Sequence, residues 1–237
     1  MHRLLTDRAT LDEDAPLLPK EAVRHLKVLR VEPGERVELF DGAGASRVYA
    51  VRADRSLGAA AAVSWVARPQ RELTLFACVT KGSRWDWTVE KATELGVRRI
   101  VPVISERTIV RLKPGERAAK RERWQRIAED AARQSDALYL PEIVAAVDFD
   151  EALARARATT CYVGALTVPP APPLASVPLA AGPISAFIGP EGDFTPDELS
   201  QLVAVGQPTS FGPTVLRAET AAIFAVSVLM ARLAAEE

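Results

Sequence analysis

Cysteine and histidine are scarce in this sequence, with two of each among 237 residues. Cys78 and Cys161 both stand in apolar, strand-like runs, which favours buried free thiols over a disulfide and indicates the reducing cytoplasm. His2 and His25 are too few to complete a typical zinc site with two isolated cysteines. A cysteine–histidine nucleophile pair stays open, but thiols in an apolar core are inert. We therefore expect no metal ion and no thiol chemistry.

Long apolar runs are also missing, and neither sign of charge dominates. No run approaches the ~18 apolar residues of a membrane span, and the stretch MHRLLTDRATLDEDAPLL turns acidic too early for a signal peptide. The formal net charge is −1, so nucleic-acid contact must rely on local basic patches. Hydrophobic residues make up 48% of the chain, which is enough to form a core. We expect a globular protein without membrane contact.

Three common motifs of nucleotide-binding proteins and hydrolases are absent. There is no G-x-x-x-x-G-K-[ST] phosphate-binding loop and no G-x-S-x-G nucleophile turn. The stretch DGAGAS lacks the third glycine of a dinucleotide fingerprint and stands where a β-hairpin is expected. These absences argue against P-loop hydrolysis, dinucleotide binding and α/β-hydrolase chemistry.

The pattern of predicted elements changes near residue 70. Residues 1–68 are β-rich after a short helix, and DGAG predicts a hairpin turn between ERVELF and SRVYAV. This indicates a small all-β module such as a barrel, followed by a linker at 67–72 with the sequence ARPQRE. From residue 73, strands alternate with helices, which predicts an α/β domain with a mostly parallel sheet covered on both faces.

Several elements of this α/β domain can be delimited. One helix is closed by Gly96, a long helix spans 115–136, and a short strand lies near Thr209–Phe211. The last helix, 218–234, is apolar nearly all round, so it must be covered by the core or by a second subunit.

The stretch FIGPEGDFTPDEL joins a buried strand to a charged turn. The strand 184–188 ends at Gly189, and Thr195 with Glu198 forms a capping box that starts the next helix. Ligands of open α/β sheets bind outside the carboxyl ends of strands. Because the carboxylate of Glu191 would repel a phosphate, a cationic ligand, or a neutral one with hydroxyl and amine donors, is favoured. A purely structural turn is the alternative.

The stretch SFGPTVLRAETAAIF repeats this pattern. A strand ends in Gly-Pro, a short loop carries Leu216 and Arg217, and Glu219 opens the last helix. An arginine beside a buried helix start needs an anionic partner.

Basic residues gather in both parts of the chain. Residues 111–126 hold seven Lys or Arg against two Glu, and Arg24, Lys27 and Arg30 cluster near His25. Such runs attract phosphate backbones without reading sequence, so they favour RNA over a merely solvated helix face.

These motifs, in this order and spacing, resemble the RsmE-type 16S ribosomal RNA uridine-N3 methyltransferases: HLKVLRVEPGERVELFDGAG, KGSRWDWTVEKATELGV, ISERTIV, RWQRIAEDAARQS with LPEI, IGPEGDFTPDEL and FGPTVLRAETAA. The resemblance implies an RNA-binding PUA-like β-barrel over 1–68. It also implies a SPOUT methyltransferase domain over 72–237, with a trefoil knot near 160–237. S-adenosyl-L-methionine as cofactor, a homodimer, and 16S rRNA or the small ribosomal subunit as partner follow from the same resemblance.

The resemblance, the chemistry of uridine N3 and the basic runs together suggest roles for particular residues. Arg217 is expected to stabilise charge developing on the uracil carbonyls, and Glu191 either to accept the N3 proton or to orient the cofactor's amine. The cofactor pocket is expected to involve Leu166, Thr167, Gly189, Glu191, Gly192, Leu216, Arg217, Glu219 and Thr220. The residues expected to bind RNA are Arg24, Lys27, Arg30, Lys81, Arg84, Arg107 and Arg123.

The sequence departs from the family pattern at a few positions. Asp193 stands where the family has glycine after GPEG, and Asp136-Ala137 replaces the usual Gly-Arg after QS. Thr214 replaces an arginine, and Arg133 a glutamate. Two other functions remain open: another SPOUT RNA methyltransferase, or a non-catalytic RNA-binding or ribosome-assembly protein.

Overall fold

The computed structural model describes residues 1–167 and 169–236, and the chain divides into two compact units. The first unit comprises Met1–Arg68 together with Glu129–Leu140. The second comprises Pro69–Ala128 and the residues from Pro141 onward. The segment Glu129–Leu140 thus groups with the N-terminal residues in this division of the chain.

The first unit contains a five-stranded sheet in the order β1-β2-β3-β4, with β5 paired to β3. β1 runs parallel to β2, and the other pairs are antiparallel. Its core holds the fully buried side chains of Val37, Leu39 and Tyr49. The elements are β1 (His2–Leu5), α1 (Arg8–Asp12), α2 (Lys20–Val28), β2 (Arg36–Phe40), β3 (Ala45–Val51), β4 (Leu57–Ala59) and β5 (Ser64–Trp65).

The predicted hairpin turn joins β2 to β3. Gly42 and Gly44 both have positive φ, 69° and 108°, which a residue with a Cβ adopts at a cost. The Asp41 carboxylate accepts hydrogen bonds from the backbone N–H groups of Ala43 and Ala45, so the turn is held by its own side chain. The DGAG signal is therefore confirmed.

Arg3 ties the segment Glu129–Leu140 to this sheet inside the first unit. Its side chain is almost fully buried and pairs with Glu38 at 2.7 Å. The guanidinium also donates to the carbonyl oxygens of Ala132 at 2.8 Å and Ala137 at 3.3 Å. A buried cation with three partners offsets its own desolvation, so this contact fixes the segment in place.

The second unit contains a seven-stranded, all-parallel sheet in the order β12-β10-β11-β6-β7-β8, with β9 paired to β7. This confirms the predicted α/β fold with a parallel sheet. The elements from residue 73 onward are β6 (Leu73–Cys78), α3 (Ser83–Glu94), β7 (Arg99–Ile104), α4 (Pro114–Gln134), β8 (Glu142–Ile143), β9 (Val147–Asp148), α5 (Phe149–Ala156), β10 (Thr160–Gly164), β11 (Ile184–Ile188), α6 (Pro196–Val203), β12 (Gly206–Thr209) and α7 (Ala218–Ala234).

Two cores cover the two faces of this sheet because strand side chains alternate. Leu75 and Ala77 of β6 pack with α3, α4 and α7 on one face. Phe76 and Cys78 pack with α5 and α6 on the other. The last helix follows the predicted bounds, and Ala222, Val226 and Leu229 are among its residues in the first of these cores. Phe224 on the same helix is 36% exposed.

Both cysteines are buried free thiols, as predicted. Burial raises the pKa of Cys78 to about 12 and that of Cys161 to about 11. The Cys78 thiol lies 3.4 Å from the hydroxyl of Ser105, at the end of the neighbouring strand. Neutral thiols in this setting are poor nucleophiles.

The local end signals of the helices are largely confirmed. Gly96 follows α3 with φ 85°, and the Thr195–Glu198 capping box is complete on α6. The strand expected near Thr209–Phe211 lies instead at Gly206–Thr209. This strand contains Pro208 and lies at the edge of the sheet. Proline has no N–H, but at an edge strand the N–H that faces away from the sheet has no strand to bind, so no hydrogen bond between strands is lost.

Within residues 1–167 and 169–236, no helix is both long and apolar enough to cross a membrane.

Candidate functional site

A cavity of about 320 Å³ opens at the carboxyl ends of β10, β11 and β12 in the second unit. Three loops build it, one after each strand, as expected for open α/β sheets. The described residues that line it are Gly164, Ala165, Leu166, Ile188, Gly189, Pro190, Glu191, Asp193, Thr209, Ser210, Phe211, Gly212, Thr214, Val215, Leu216, Arg217, Ala218 and Ala221.

The GPEG loop, Gly189–Phe194, forms one wall of the cavity. A Cβ on Gly189 would lie 3.0 Å from the ring of Phe194, so this position favours glycine. Phe194 is buried and packs edge-on against Phe187 with ring centroids 5.7 Å apart. The loop therefore folds back over the core, and its backbone borders the cavity.

Asp193 adopts a left-handed backbone, with φ 59°. Its N–H donates to the carbonyl of Pro190 at 2.9 Å, which closes a tight turn. Its carboxylate accepts a hydrogen bond from the N–H of Phe194 at 2.7 Å. Aspartate tolerates this conformation better than most residues because its short side chain bonds locally. The aspartate that stands where the resemblance places a glycine is thus compatible with the turn.

Asp136, which stands where the resemblance places another glycine, has a similar backbone conformation. Its φ is 57°, and it lies in the Glu129–Leu140 segment of the first unit. Both replacements thus fall where a left-handed residue is needed.

Two carboxylates and two arginines stand on or beside the cavity. Glu191 and Asp193 line it, and Glu191 forms an ion pair with Arg84 at 3.4 Å. Arg217, at the N-cap of α7, also lines the cavity and is exposed. No salt-bridge partner of Arg217 is found among the described residues. The expected anionic partner of Arg217 is thus not supplied within this part of the chain, which leaves its guanidinium open to a ligand.

Glu219 lies in the first turn of α7 and is only 9% exposed. Its Oε2 atom is buried, and no described residue hydrogen-bonds to it. A carboxylate at a helix N-terminus is stabilised by the helix dipole, which accounts for part of this arrangement.

Only some of the predicted cofactor-binding residues line the cavity. Leu166, Gly189, Glu191, Leu216 and Arg217 all line it. The remaining four are not among the described lining residues: Thr167, Gly192, Glu219 and Thr220. Thr167 hydrogen-bonds to the carbonyl of Pro169 instead.

Sequence reasoning missed several lining residues, above all Gly164 and Phe211. A Cβ on Gly164 would lie 2.7 Å from the Phe211 ring, so glycine at this strand end makes room for the aromatic side chain. The glycine at the end of a β-strand was an available signal for such close packing. Only the fold reveals that Phe211, from another loop, fills the space.

The predicted RNA-binding residues differ in their surroundings. In the first unit, Arg24, Lys27 and Arg30 are exposed on and just after α2. In the second unit, Lys81 is exposed beside α3, and Arg123 pairs with Asp86. Arg84 pairs with Glu191, and Arg107 donates to backbone carbonyls of the GPEG loop.

In the part of the chain that the structure describes, no group of three or more His, Cys, Asp or Glu side chains is arranged to hold a metal ion.

Family models place this chain among the RNA methyltransferases. The family model described as "RNA methyltransferase domain" matches residues 67–230, and that described as "RNA methyltransferase PUA domain" matches residues 18–54.

Proteins named "Ribosomal RNA small subunit methyltransferase E" are similar along most of the chain. The one from Synechocystis is 32% identical over 87% of this chain and 69% of its own length. The one from Bacillus subtilis is 29% identical over 92% and 91%. The structure of this enzyme from Neisseria gonorrhoeae bound to S-adenosyl methionine has a TM-score of 0.84 and 29% identity over 98% of both chains. This chain belongs to the family of ribosomal RNA small subunit methyltransferases E.

A further solved structure supports the likeness. The putative methyltransferase Lpg2936 from Legionella pneumophila, solved in complex with bound SAM, has a TM-score of 0.83 and 29% identity. The match covers 98% of the present chain and 96% of the Legionella protein.

Proposed function

We propose that this protein transfers a methyl group from S-adenosyl-L-methionine to N3 of a specific uridine in the 16S rRNA of the small ribosomal subunit. The observation that carries the proposal is the cavity at the carboxyl ends of β10, β11 and β12, whose GPEG loop and Leu216–Arg217 loop hold the family's motifs. Family membership supplies the reaction, and the cavity supplies residues suited to it.

The cavity fits S-adenosyl-L-methionine in size and chemistry. A volume of about 320 Å³ lies in the range of small-molecule sites. Leu166, Ile188 and Leu216 offer apolar surface to an adenine ring. The carboxylates of Glu191 and Asp193 suit the positively charged amine and sulfonium, and Arg217 suits a carboxylate or the substrate. When bound, the cofactor supplies an electrophilic methyl group.

The chain's own contribution to the reaction is to position the base and manage its charge. Uridine N3 carries a proton that must leave before or during attack, and negative charge then develops on the uracil carbonyls. Arg217 is exposed at the cavity and forms no salt bridge within the described residues, so its guanidinium can donate to those oxygens. Alignment of N3 with the methyl group is mainly a matter of positioning.

Glu191 has two roles open to it. It can accept the N3 proton, or it can orient the cofactor's amine. Its ion pair with Arg84 at 3.4 Å places a cation beside the carboxylate in either case.

The substrate base must be unpaired or flipped, since N3 takes part in Watson–Crick pairing. We assign phosphate contacts to the exposed cations Arg24, Lys27 and Arg30 of the first unit. Lys81, Arg84 and Arg123 of the second unit are assigned the same role. Residues 1–68 act as the RNA-binding, PUA-like barrel domain in this proposal, and 72–237 as the methyltransferase domain.

A trefoil knot near 160–237, a homodimer and a cytoplasmic location belong to the same proposal. The knot is supported by Ser210, just after β12, which pairs with Pro173 in the long connection between β10 and β11. The dimer is supported by the apolar α7, where Phe224 is 36% exposed. Two buried free thiols fit a reducing compartment.

The test is methyl transfer to isolated small subunits and to naked 16S rRNA from a strain lacking the gene. We expect transfer from labelled cofactor to one uridine, identified as 3-methyluridine by mass spectrometry. Methylation at another position or atom would favour a different SPOUT specificity. Absence of cofactor binding at millimolar concentration, measured by calorimetry, would favour a non-catalytic RNA-binding protein.

A further inference from the structure

Arg107 contacts the GPEG loop from a different part of the sheet. It lies just after β7, in the turn Ser105–Thr108. Its Nη1 atom donates to the carbonyl oxygen of Gly192 at 3.1 Å and to that of Phe194 at 3.3 Å. The stem of Arg107 also lies against Gly192, where an added Cβ would be 3.6 Å from the arginine's Cβ.

These two carbonyls flank Asp193, the left-handed residue of the loop. Even for an aspartate with a local hydrogen bond, φ 59° costs free energy relative to glycine, so contacts that hold the loop in this shape matter. One guanidinium that binds the carbonyls on both sides of the strained residue opposes relaxation of the loop. Charge-assisted hydrogen bonds are stronger than neutral ones, which makes arginine effective here.

The turn that carries Arg107 is itself firmly held. The Thr108 hydroxyl accepts from the N–H of Ser105 at 3.0 Å and lies 2.9 Å from its hydroxyl, all buried. Arg111 donates to the carbonyls of Ser105 and Glu106 at 3.1 and 2.6 Å. The turn can therefore act as a fixed support.

A second contact joins this turn to the start of α6. The buried carboxylate of Glu198 accepts from the N–H of Glu106 at 2.9 Å and from the N–H of Thr195 at 3.0 Å. The capping carboxylate of α6 thus also binds the turn after β7. The carboxyl end of the GPEG loop is therefore held by hydrogen bonds to two side chains, those of Arg107 and Glu198.

We propose that Arg107 is a positioning residue that holds the GPEG loop in the shape that binds the cofactor, and that the Ser105–Thr108 turn is its support. The inference rests on the proposed use of S-adenosyl-L-methionine. It assigns Arg107 a role distinct from the RNA contact that was expected of it from the sequence.

The test measures cofactor and RNA binding separately in Arg107→Ala and Arg107→Lys. Calorimetry with S-adenosyl-L-methionine should show about tenfold weaker binding for Arg107→Ala, since charge-assisted bonds partly open to water are lost. The cofactor affinity of Arg107→Lys should lie between those of wild type and Arg107→Ala, because a lysine cannot bind both carbonyls as the guanidinium does. Affinity for isolated small subunits without cofactor should stay within twofold of wild type.

Two further readouts separate positioning from general stability. The KM for the cofactor should rise about tenfold while kcat at saturating cofactor stays within twofold. Amide exchange of residues 191–195 should quicken in Arg107→Ala, with the thermal midpoint little changed. In an Asp193→Gly background, the loss caused by Arg107→Ala should shrink, because glycine needs no holding at positive φ.

Arg155→Ala is the matched control. Arg155 is an exposed arginine on α5 whose salt bridge among the described residues is with Glu151, four residues earlier on the same helix. Its removal should leave cofactor affinity unchanged. Cofactor affinity of Arg107→Ala within twofold of wild type would overturn the inference, whatever happens to RNA affinity. If wild type itself bound no cofactor, the proposed function would fail instead, so the two failures are distinguishable.

Discussion

Arg84 and Glu191 form an ion pair at the cavity, with 3.4 Å between Nη1 and Oε1. The arginine side chain is 46% exposed and the glutamate side chain 23% exposed. The arginine comes from the start of α3 and the glutamate from the GPEG loop, 107 residues later. A predicted RNA-binding cation and a predicted catalytic carboxylate are therefore direct neighbours.

This pair should contribute little to stability. Partly exposed ion pairs are worth roughly 0–1 kcal/mol. We expect a double-mutant cycle with Arg84→Ala and Glu191→Gln, followed by urea unfolding, to give a coupling free energy below about 1 kcal/mol. A larger coupling would show that the pair is structural, and that the two residues are not free to serve a substrate.

Arg217→Ala should reduce methyl transfer strongly. Loss of a donor that stabilises developing charge lowers kcat by about 10²–10³-fold in other enzymes. Single-turnover rates at saturating cofactor measure this step, and calorimetry measures cofactor affinity. A full rate with unchanged cofactor affinity would contradict the role given to Arg217.

Asp193→Gly and Asp193→Ala should differ in stability. Glycine adopts φ 59° without strain, so the loss of the hydrogen bond to the Phe194 N–H is largely offset, and a change within about 1 kcal/mol is expected. Alanine keeps the strain and lacks the carboxylate, so it should destabilise by roughly 1–2 kcal/mol. Chemical unfolding of the two variants checks this order.

Asp136, which is in the first unit and is not one of the cavity-lining residues, offers a parallel pair of variants. It has nearly the same φ, 57°, and is 88% exposed at its side chain. We expect the glycine variant to be more stable than the alanine variant at this position too, and neither to change cofactor binding. Alanine more stable than glycine at both positions would refute the strain argument.

Gly164→Ala should deform the cavity. The new methyl group would lie 2.7 Å from the ring of Phe211, which must move. Because Phe211 also lines the cavity, we expect cofactor affinity to fall about tenfold. We also expect the overpacked methyl group to destabilise the fold by about 1–3 kcal/mol. Gly182→Ala, at a site with nothing within 4 Å of the added methyl, is the control.

The two thiols should be unreactive in the folded protein. Burial raises the pKa of Cys78 to about 12 and of Cys161 to about 11, above the usual 9.0. We expect no reaction with a thiol reagent at pH 8 until denaturant is added. Rapid modification of native protein would show that these strands open easily.

The same shifts predict a loss of stability in alkali. The unfolded chain releases these protons near pH 9.0, while the folded chain retains them. The stabilising contribution of the neutral thiols is therefore full below pH 9 and lost as the pH rises through about 11 and 12. Cys161→Ala should reduce the slope of unfolding free energy against pH above 9.

Local sequence was sufficient to predict many elements of the second unit. The strand Ile184–Ile188, the capping box of α6 and the bounds of α7 all rest on short-range signals: apolar runs, a Thr–Glu pair and helix-forming residues. The alternation of strands with helices predicted the parallel sheet for the same reason. Motif order then indicated the family.

Tertiary structure alone decided how distant segments meet. Arg107 was expected from the sequence to bind RNA, yet it binds carbonyls 85 and 87 residues away. Phe211 fills the space beside Gly164, and Arg3 binds the carbonyls of Ala132 and Ala137. Helix ends and turns are determined by neighbours in sequence, so they can be read locally. Contacts between loops depend on the sheet order that brings them together, and no short-range pattern encodes that order.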